Sequence, residues 1–405
     1  MLNDRTRKRY ISAFLRDCAA RGRLLRSGLS FGPICSVNCG GAGIALALCK
    51  LGCDQGDPQL LSLAEIWITH TVKTLDEPEA FYDPEHDFTE ATLGKVSILH
   101  KEPGVRWVQA AIARKLRKRR DCRSAVNAFL RLSKLPSPKY EFSFGKGGLL
   151  VGCALLIDLL ADFDAELCDA VRNRGQQLYR QMVRRILEQH RFDSHPSGEF
   201  LGAAHGRAGI LHSLLIWYEI SGSEIHPGLL KALKKLAALA KETGSGARWP
   251  RLLGGDQYWS GWCNGSAGFV LLFSLASRML SDPSYFTLAA AAAEHTWRVR
   301  NPSPSLCCGA TGDGYAYLNL YRATGNKLWL QRAGRSAEVA MNVDRHNYSL
   351  FVGKAGVVVL LSDLERPESA WIPLLEREPT GGRVASVAPG KEKEANGARN
   401  RRLSR

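Results

Sequence analysis

Trp262-Cys263-Asn264-Gly265-Ser266-Ala267-Gly268 runs directly into Phe269-Val270-Leu271-Leu272-Phe273-Ser274-Leu275. Two glycines three apart, then a helix-length apolar run, form the pattern that decides the fold. It recurs as Gly40–Gly43 before IALALCKLG, Gly145–Gly148 before LLVGCALLIDLL and Gly206–Gly209 before ILHSLLIWYE. It returns as Gly309–Gly312 before DGYAYLNLYRATG and Gly353–Gly356 before VVVLLSDL. Gly94-Lys95-Val96-Ser97 reads as a degenerate seventh copy. The first glycines follow one another at intervals of 44 to 61 residues. Self-similarity at that period means stacked supersecondary units rather than unrelated domains.

Between the glycine elements lie second helices. Leu178, Met182 and Ile186 fall on one helical face, as do Leu229, Leu233, Leu236 and Ala240. Ser281-Asp282-Pro283 supplies a cap and a first-turn proline for a helix through Trp297. These helices carry charge on their other face and are expected to look outward. The helices after the glycines are apolar nearly all round and are expected to be buried. The expected fold is all-α: an α/α toroid of about seven inner and seven outer helices. Glycine suits the place where a loop enters a buried helix, because it permits close backbone approach. The expected organisation is a basic helical lead-in at 1–29, the toroid at 30–376 and a disordered basic tail at 377–405.

The 405 residues carry a formal net charge of +16, placed unevenly. Residues 1–26 and 112–123 are each +6 and residues 379–405 are +5, so the remainder is near neutral. No apolar stretch reaches the roughly 20 residues of a membrane span. The basic start lacks the apolar core of a signal peptide. Eleven scattered cysteines, an odd number, favour a reducing compartment, hence the cytoplasm. Cys18, Cys49, Cys122, Cys153 and Cys168 fall in expected helices and read as small core residues.

Three cysteines differ. Cys263 precedes Gly265, and Cys307-Cys308 precedes Gly309 in the next copy. If these copies are neighbours in a ring, Cys263, Cys307 and Cys308 converge at one rim. Three thiolates suit Zn²⁺, and three protein ligands leave a position open, as in catalytic sites. Chance burial or a redox pair is the competing reading. His205 holds the matching place one copy earlier, as a candidate general acid or base. Glu141, four residues before Gly145, is a second candidate at the ring centre, or a surface carboxylate. His212, two turns further along, reads as a core histidine. The run at 144–148 lacks phosphate-loop spacing. The basic run at 114–120 has no nucleic-acid motif, so no nucleic-acid partner is expected.

AHGRAGI (204–210), WCNGSAGFV (262–270), LCCGATGDGYAYLNLY (306–321) and FVGKAGVVVLL (351–361) together resemble the lanthionine synthetase C-like family over roughly residues 30–375. The resemblance implies a toroid with zinc at one mouth. For the lantibiotic cyclases of the family, it implies addition of a peptide cysteine thiol to dehydroalanine or dehydrobutyrine, forming thioether rings. The usual Cys-His-Gly is here Cys307-Cys308-Gly309, so the implied ligand set is Cys263, Cys307 and Cys308. The family's catalytic histidine matches His205, and its further acid falls at Glu141. The usual Asn after the Cys-His-Gly-x-x-Gly element is Asp313. The implied partners are a dehydrated precursor peptide, with dehydration by a separate dehydratase, or a small thiol such as glutathione. A zinc-binding scaffold without turnover is a further reading. The segments at 1–26 and 112–123 are expected to attract an acidic peptide electrostatically.

Overall fold

The computed structural model describes residues 3–20, 33–188, 199–244, 246–343 and 347–379. In chain order the long helices are α1 (Asp4–Ala19), α2 (Gly41–Gln55), α3 (Pro58–Lys73), α4 (Glu102–Lys115), α5 (Arg119–Ser133), α6 (Lys146–Leu160) and α7 (Ala165–Met182). They continue as α8 (Arg207–Ser221), α9 (Pro227–Ala238), α10 (Ser266–Leu280), α11 (Pro283–Val299), α12 (Ala310–Thr324), α13 (Lys327–Met341) and α14 (Lys354–Asp363). The even-numbered helices stand side by side, each packed on the next, and α14 packs back on α2. Each odd-numbered helix from α3 to α13 packs outside the even helix before it. The seventh outer place, against α14, is taken by α1 from the far end of the chain. Among the described residues the fold is thus seven inner and seven outer helices, an α/α toroid. Among the described residues the one two-stranded ladder joins Lys241–Thr243 to Gly246–Arg248.

Burial separates the two layers as their sequences require. From Gly147 to Ile157 every residue of α6 is buried. In outer α5 the buried residues are Cys122, Ala125, Val126, Ala128, Phe129 and Ser133, a single helical stripe. The two layers also start differently. Asp57, Asp164, Asp282 and Asn326 cap outer helices through their side chains. The six inner helices headed by glycine have no side-chain cap. Their first N–H groups instead donate to loop carbonyls seven residues back: Gly41 to Ile34, Lys146 to Lys139, Arg207 to Phe200, Ser266 to Trp259, Ala310 to Ser303 and Lys354 to Asn347. Capping by backbone folds the loop tightly over the helix start. A Cβ on Gly206 would lie 2.3 Å from the Phe200 carbonyl oxygen, and one on Gly209 would lie 1.9 Å from that of Ala203.

The seventh copy is not at Gly94. Gly94, at φ 69°, ends the short helix Glu90–Leu93. The second inner helix is headed by Lys101-Glu102-Pro103-Gly104, and a Cβ on Gly104 would lie 1.8 Å from the Ile98 oxygen. Lys101 takes the first glycine's place with the same extended backbone, φ −132° and ψ 176°. Its side chain turns to Tyr82, donating to the hydroxyl at 2.7 Å.

Ring closure is non-local. Phe351 N–H donates to the Asn38 carbonyl at 3.1 Å. Deeper in, buried Lys50 of α2 meets Asp363 of α14 at 2.7 Å, and Tyr315 Oη donates to the other Asp363 oxygen at 2.7 Å. Burial raises the Asp363 carboxyl to about 6, against the pull of Lys50. The folded state therefore holds this proton more tightly than the unfolded chain. Its stabilisation is complete below about 4 and is lost as pH rises through about 6. Thermal or urea unfolding across that window should give a flatter stability-versus-pH slope for Asp363→Asn, by up to about 1 kcal/mol per pH unit. Identical slopes would show that Asp363 does not titrate there.

The basic run at 112–123 spans the end of α4 and the start of α5, at the rim opposite the inner-helix N-termini. Its charges are largely paired: Arg114 with Asp162 at 2.8 Å, Lys115 with Glu378 at 3.1 Å, Arg123 with Asp164 at 2.8 Å, and Lys118 with Glu65. Helix α4 is about 21 Å long, and exposed charges are screened beyond about 8 Å at physiological ionic strength. The expected steering from this run is therefore directed at the other end of the ring. Of the expected tail, Arg377 and Glu378 are tied to Asp158 and Lys115, and residues from 380 lie outside the described residues.

Candidate active site

The loops entering the inner helices are stitched into a belt around one mouth. Ser143 N–H donates to Ala204 O, Ala204 to Cys263, Cys263 to Cys307, Cys307 to Phe351, Phe351 to Asn38 and Asn38 to Leu99, at 2.8–3.1 Å. Each donor sits two places before the first glycine of its copy, so Cys263 and Cys307 are equivalent positions in adjacent loops. His205 shares a different place, one before the glycine, with Cys308, Asn264, Phe144 and Cys39.

This register brings the three cysteines together. The three thiols lie close enough to act on one another electrostatically: Cys307 and Cys308 both act on Cys263, and Cys263 and Cys308 both act on Cys307. For Cys263 the action of Cys307 favours the thiolate, but Cys308 and burial outweigh it and push the thiol up to about 12. Cys307 is raised well above the usual thiol range by both neighbours and by burial. Ser305 holds the turn: its hydroxyl accepts from Cys307 N at 3.1 Å and Cys308 N at 3.2 Å, and donates to Phe351 O at 2.8 Å. As placed, no three or more His, Cys, Asp or Glu among the described residues are arranged to hold a metal ion. The chemistry of the three thiols still fits zinc, because three mutually repelling thiolates gain from a cation that prefers sulfur.

His205 and Glu141 are also brought together. His205 Nδ1 lies 4.0 Å from Glu141 Oε1, with the carboxylate buried and the imidazole partly open. That spacing is electrostatic rather than a hydrogen bond. Glu141 Oε2 accepts from Phe144 N at 2.9 Å. The same bond is made by Ser36 to Cys39 N, Ser97 to His100 N and Ser305 to Cys308 N. Glu141 thus replaces a structural serine and adds a second oxygen, which faces His205. The imidazole lies tilted against Phe144 with centroids 4.7 Å apart, and with Nδ1 on the Glu141 side, Nε2 is the nitrogen turned from the acid.

A further histidine, His100, joins the site: its ring centroid lies 5.0 Å from that of Phe144, the ring that also contacts His205. Burial, then the charge of His205, lowers His100 to about 3, so it is neutral near pH 7. Its signal was its place one residue before Lys101, hidden because lysine stands for glycine there. His212 is buried and lowered to about 4, chiefly by burial, as befits a core position. Asp313 is buried beside the cluster, and burial raises it well above the carboxylate range.

Residues 35–376 match the family model described as lanthionine synthetase C-like protein. The chain belongs to that family. It is 26% identical over 377 residues to the glutathione S-transferase LANCL1 of Danio rerio, covering 84% of this chain and 85% of that protein. It is 30% identical over 190 residues to the LanC-like protein GCL1 of Arabidopsis thaliana, covering 43% of this chain and 42% of that protein. Among solved structures, nisin cyclase shares the fold, with a TM-score of 0.63 at 15% identity, over 89% of this chain and 93% of that one. No described helix is long and apolar enough to cross a membrane.

Proposed function

We propose that this protein adds a thiol across the double bond of a dehydroalanine or dehydrobutyrine residue in a peptide, with Cys263, Cys307 and Cys308 holding zinc. The observation that carries the proposal is the convergence of three thiols beside a histidine–carboxylate pair at one mouth of the ring. A thiol near its ordinary pKa of about 8.5 is mostly protonated at pH 7. Zinc held by the three cysteines would supply a Lewis acid at which an incoming thiol is deprotonated.

The chain's own groups do the rest. His205 would take or give the proton through Nε2, with the Glu141 carboxylate 4.0 Å from its other ring nitrogen orienting the imidazole. The sulfur–carbon bond forms at the β-carbon, the π pair moves into an enolate, and the α-carbon then takes the proton. When the thiol is the peptide's own cysteine, the product is a thioether ring and the protein acts as a cyclase on a precursor dehydrated elsewhere. A second reading, a small thiol such as glutathione as the donor, is supported by the likeness to LANCL1 over most of the chain. The eleven free thiols support a cytoplasmic location.

The test uses a dehydroalanine peptide with and without its own cysteine, each with and without glutathione, followed by mass spectrometry. Ring closure shows as loss of the free thiol at constant mass, and the second reading as a glutathione adduct. Neither product above the uncatalysed rate would leave a scaffold. Purified protein is expected to hold about one zinc per chain. Cys263→Ala, Cys307→Ala and Cys308→Ala should each lower that content in metal analysis. Full occupancy in Cys308→Ala would remove that residue from the ligand set.

A further inference from the structure

One surface beside the mouth is not used by the chemistry above. The segment from Arg248 to Trp259 is hydrogen-bonded to both loops that carry the candidate chemistry. Leu201 N–H donates to Arg251 O at 3.0 Å on the His205 side, and Ser266 N–H to Trp259 O at 3.1 Å on the Cys263 side. Arg251 lies between the rings of Phe200 and Trp259, at 5.3 and 4.8 Å from their centroids. Arg248 lies over Tyr258 at 4.0 Å. The Nε of each arginine is buried and lacks a hydrogen-bond partner. No acid pairs with either guanidinium among the described residues. Leu252, Leu253 and Trp259 of the same segment are exposed.

We propose that this Arg248–Arg251 surface anchors the peptide substrate through its carboxylates, with apolar residues beside each acid resting on Leu252, Leu253 and Trp259. The proposal rests on reading the mouth as a site that works on peptides. A guanidinium fixed on aromatic rings has its fork pre-organised, so little rotamer freedom is lost on binding a carboxylate. Other cations, such as Lys118 and Arg123, already hold acids; these two keep their charge free. The exposed leucines favour an acidic-apolar peptide over a nucleic acid, which would use the charge and the rings but gain little from aliphatic side chains.

The test is fluorescence anisotropy on the full-length protein, with a fluorescein-labelled peptide of alternating Leu and Glu and its Gln-for-Glu counterpart. The acidic peptide should bind at least about tenfold more tightly, and raised salt should erase the difference. Arg251→Gln should lose that preference, with Arg251→Lys between the two, because it keeps the charge without the planar stack. Circular dichroism reports folding. If Arg251→Gln does not fold, Trp259→Ala at an exposed position serves in its place and should also weaken binding. Equal affinity for both peptides, or unchanged binding in a folded Arg251→Gln, overturns the proposal. So does displacement by glutathione at comparable carboxylate concentration, or stronger binding of a single-stranded oligonucleotide. Binding is read without turnover, so failed thiol addition leaves this result standing.

Discussion

His205→Asn is expected to slow thiol addition by roughly a hundredfold or more, the scale of a general acid–base contribution, with fold and zinc content unchanged. The imidazole is partly open to the mouth, and its Nδ1 side is committed to Glu141 at 4.0 Å. Asparagine preserves polarity and approximate volume but cannot move a proton near pH 7. Single-turnover rates with a dehydrated peptide, alongside metal analysis and a thermal melt, separate chemistry from folding. Glu141→Gln is the companion. Its amide oxygen can still accept from Phe144 N, so the loop should keep its shape while the charge facing His205 is lost. A smaller fall in rate is expected. Unchanged turnover in His205→Asn would make that histidine structural. An equal or larger loss in Glu141→Gln would shift the proton chemistry to the carboxylate.

Gly104→Ala is expected to destabilise the protein by about 3 kcal/mol, the upper range for forcing a methyl into a packed site. The new Cβ would lie 1.8 Å from the Ile98 oxygen, a backbone atom that cannot swing aside, with Val37 Cγ2 at 3.0 Å. Relief requires moving the loop off the start of α4, and that loop carries Leu99, an acceptor in the belt. Gly334→Ala is the internal control. It lies within α13 with nothing within 4 Å of its added Cβ. Removing a helical glycine's conformational freedom there should raise stability by roughly 0.5–1 kcal/mol. Denaturant unfolding of both variants gives the two signs. A Gly104→Ala protein as stable as wild type would show that the loop is not pinned as described.

The glycine pairs made the inner helices legible because the requirement is local. A helix start capped by a backbone carbonyl seven residues earlier leaves no room for a side chain, and glycine records that in every copy but one. The exception is Lys101: lysine satisfies the same extended backbone, so glycine spacing alone points to Gly94 instead. His100, one residue before Lys101, therefore carries no glycine signal of its own.

The outer caps were legible for the same reason: Asp282-Pro283 binds its own helix start within two residues. Cys263, Cys307, Cys308 and His205 could be named from the chain because each is tied to a glycine element. What the sequence determined was thus the set of helices, their inner or outer character and the chemical groups placed at their starts. Which groups meet was decided by the closed ring. Cys263 reaches Cys307 through a bond between loops 44 residues apart. Glu141 turns its spare oxygen to His205 from another copy. The basic run at 112–123 falls at the opposite rim, and α1 fills a wall place beside α14. These contacts depend on how many helices close the circle and which loops then become neighbours. Local hydrogen bonding and hydrophobic period do not encode that; packing around the whole ring does.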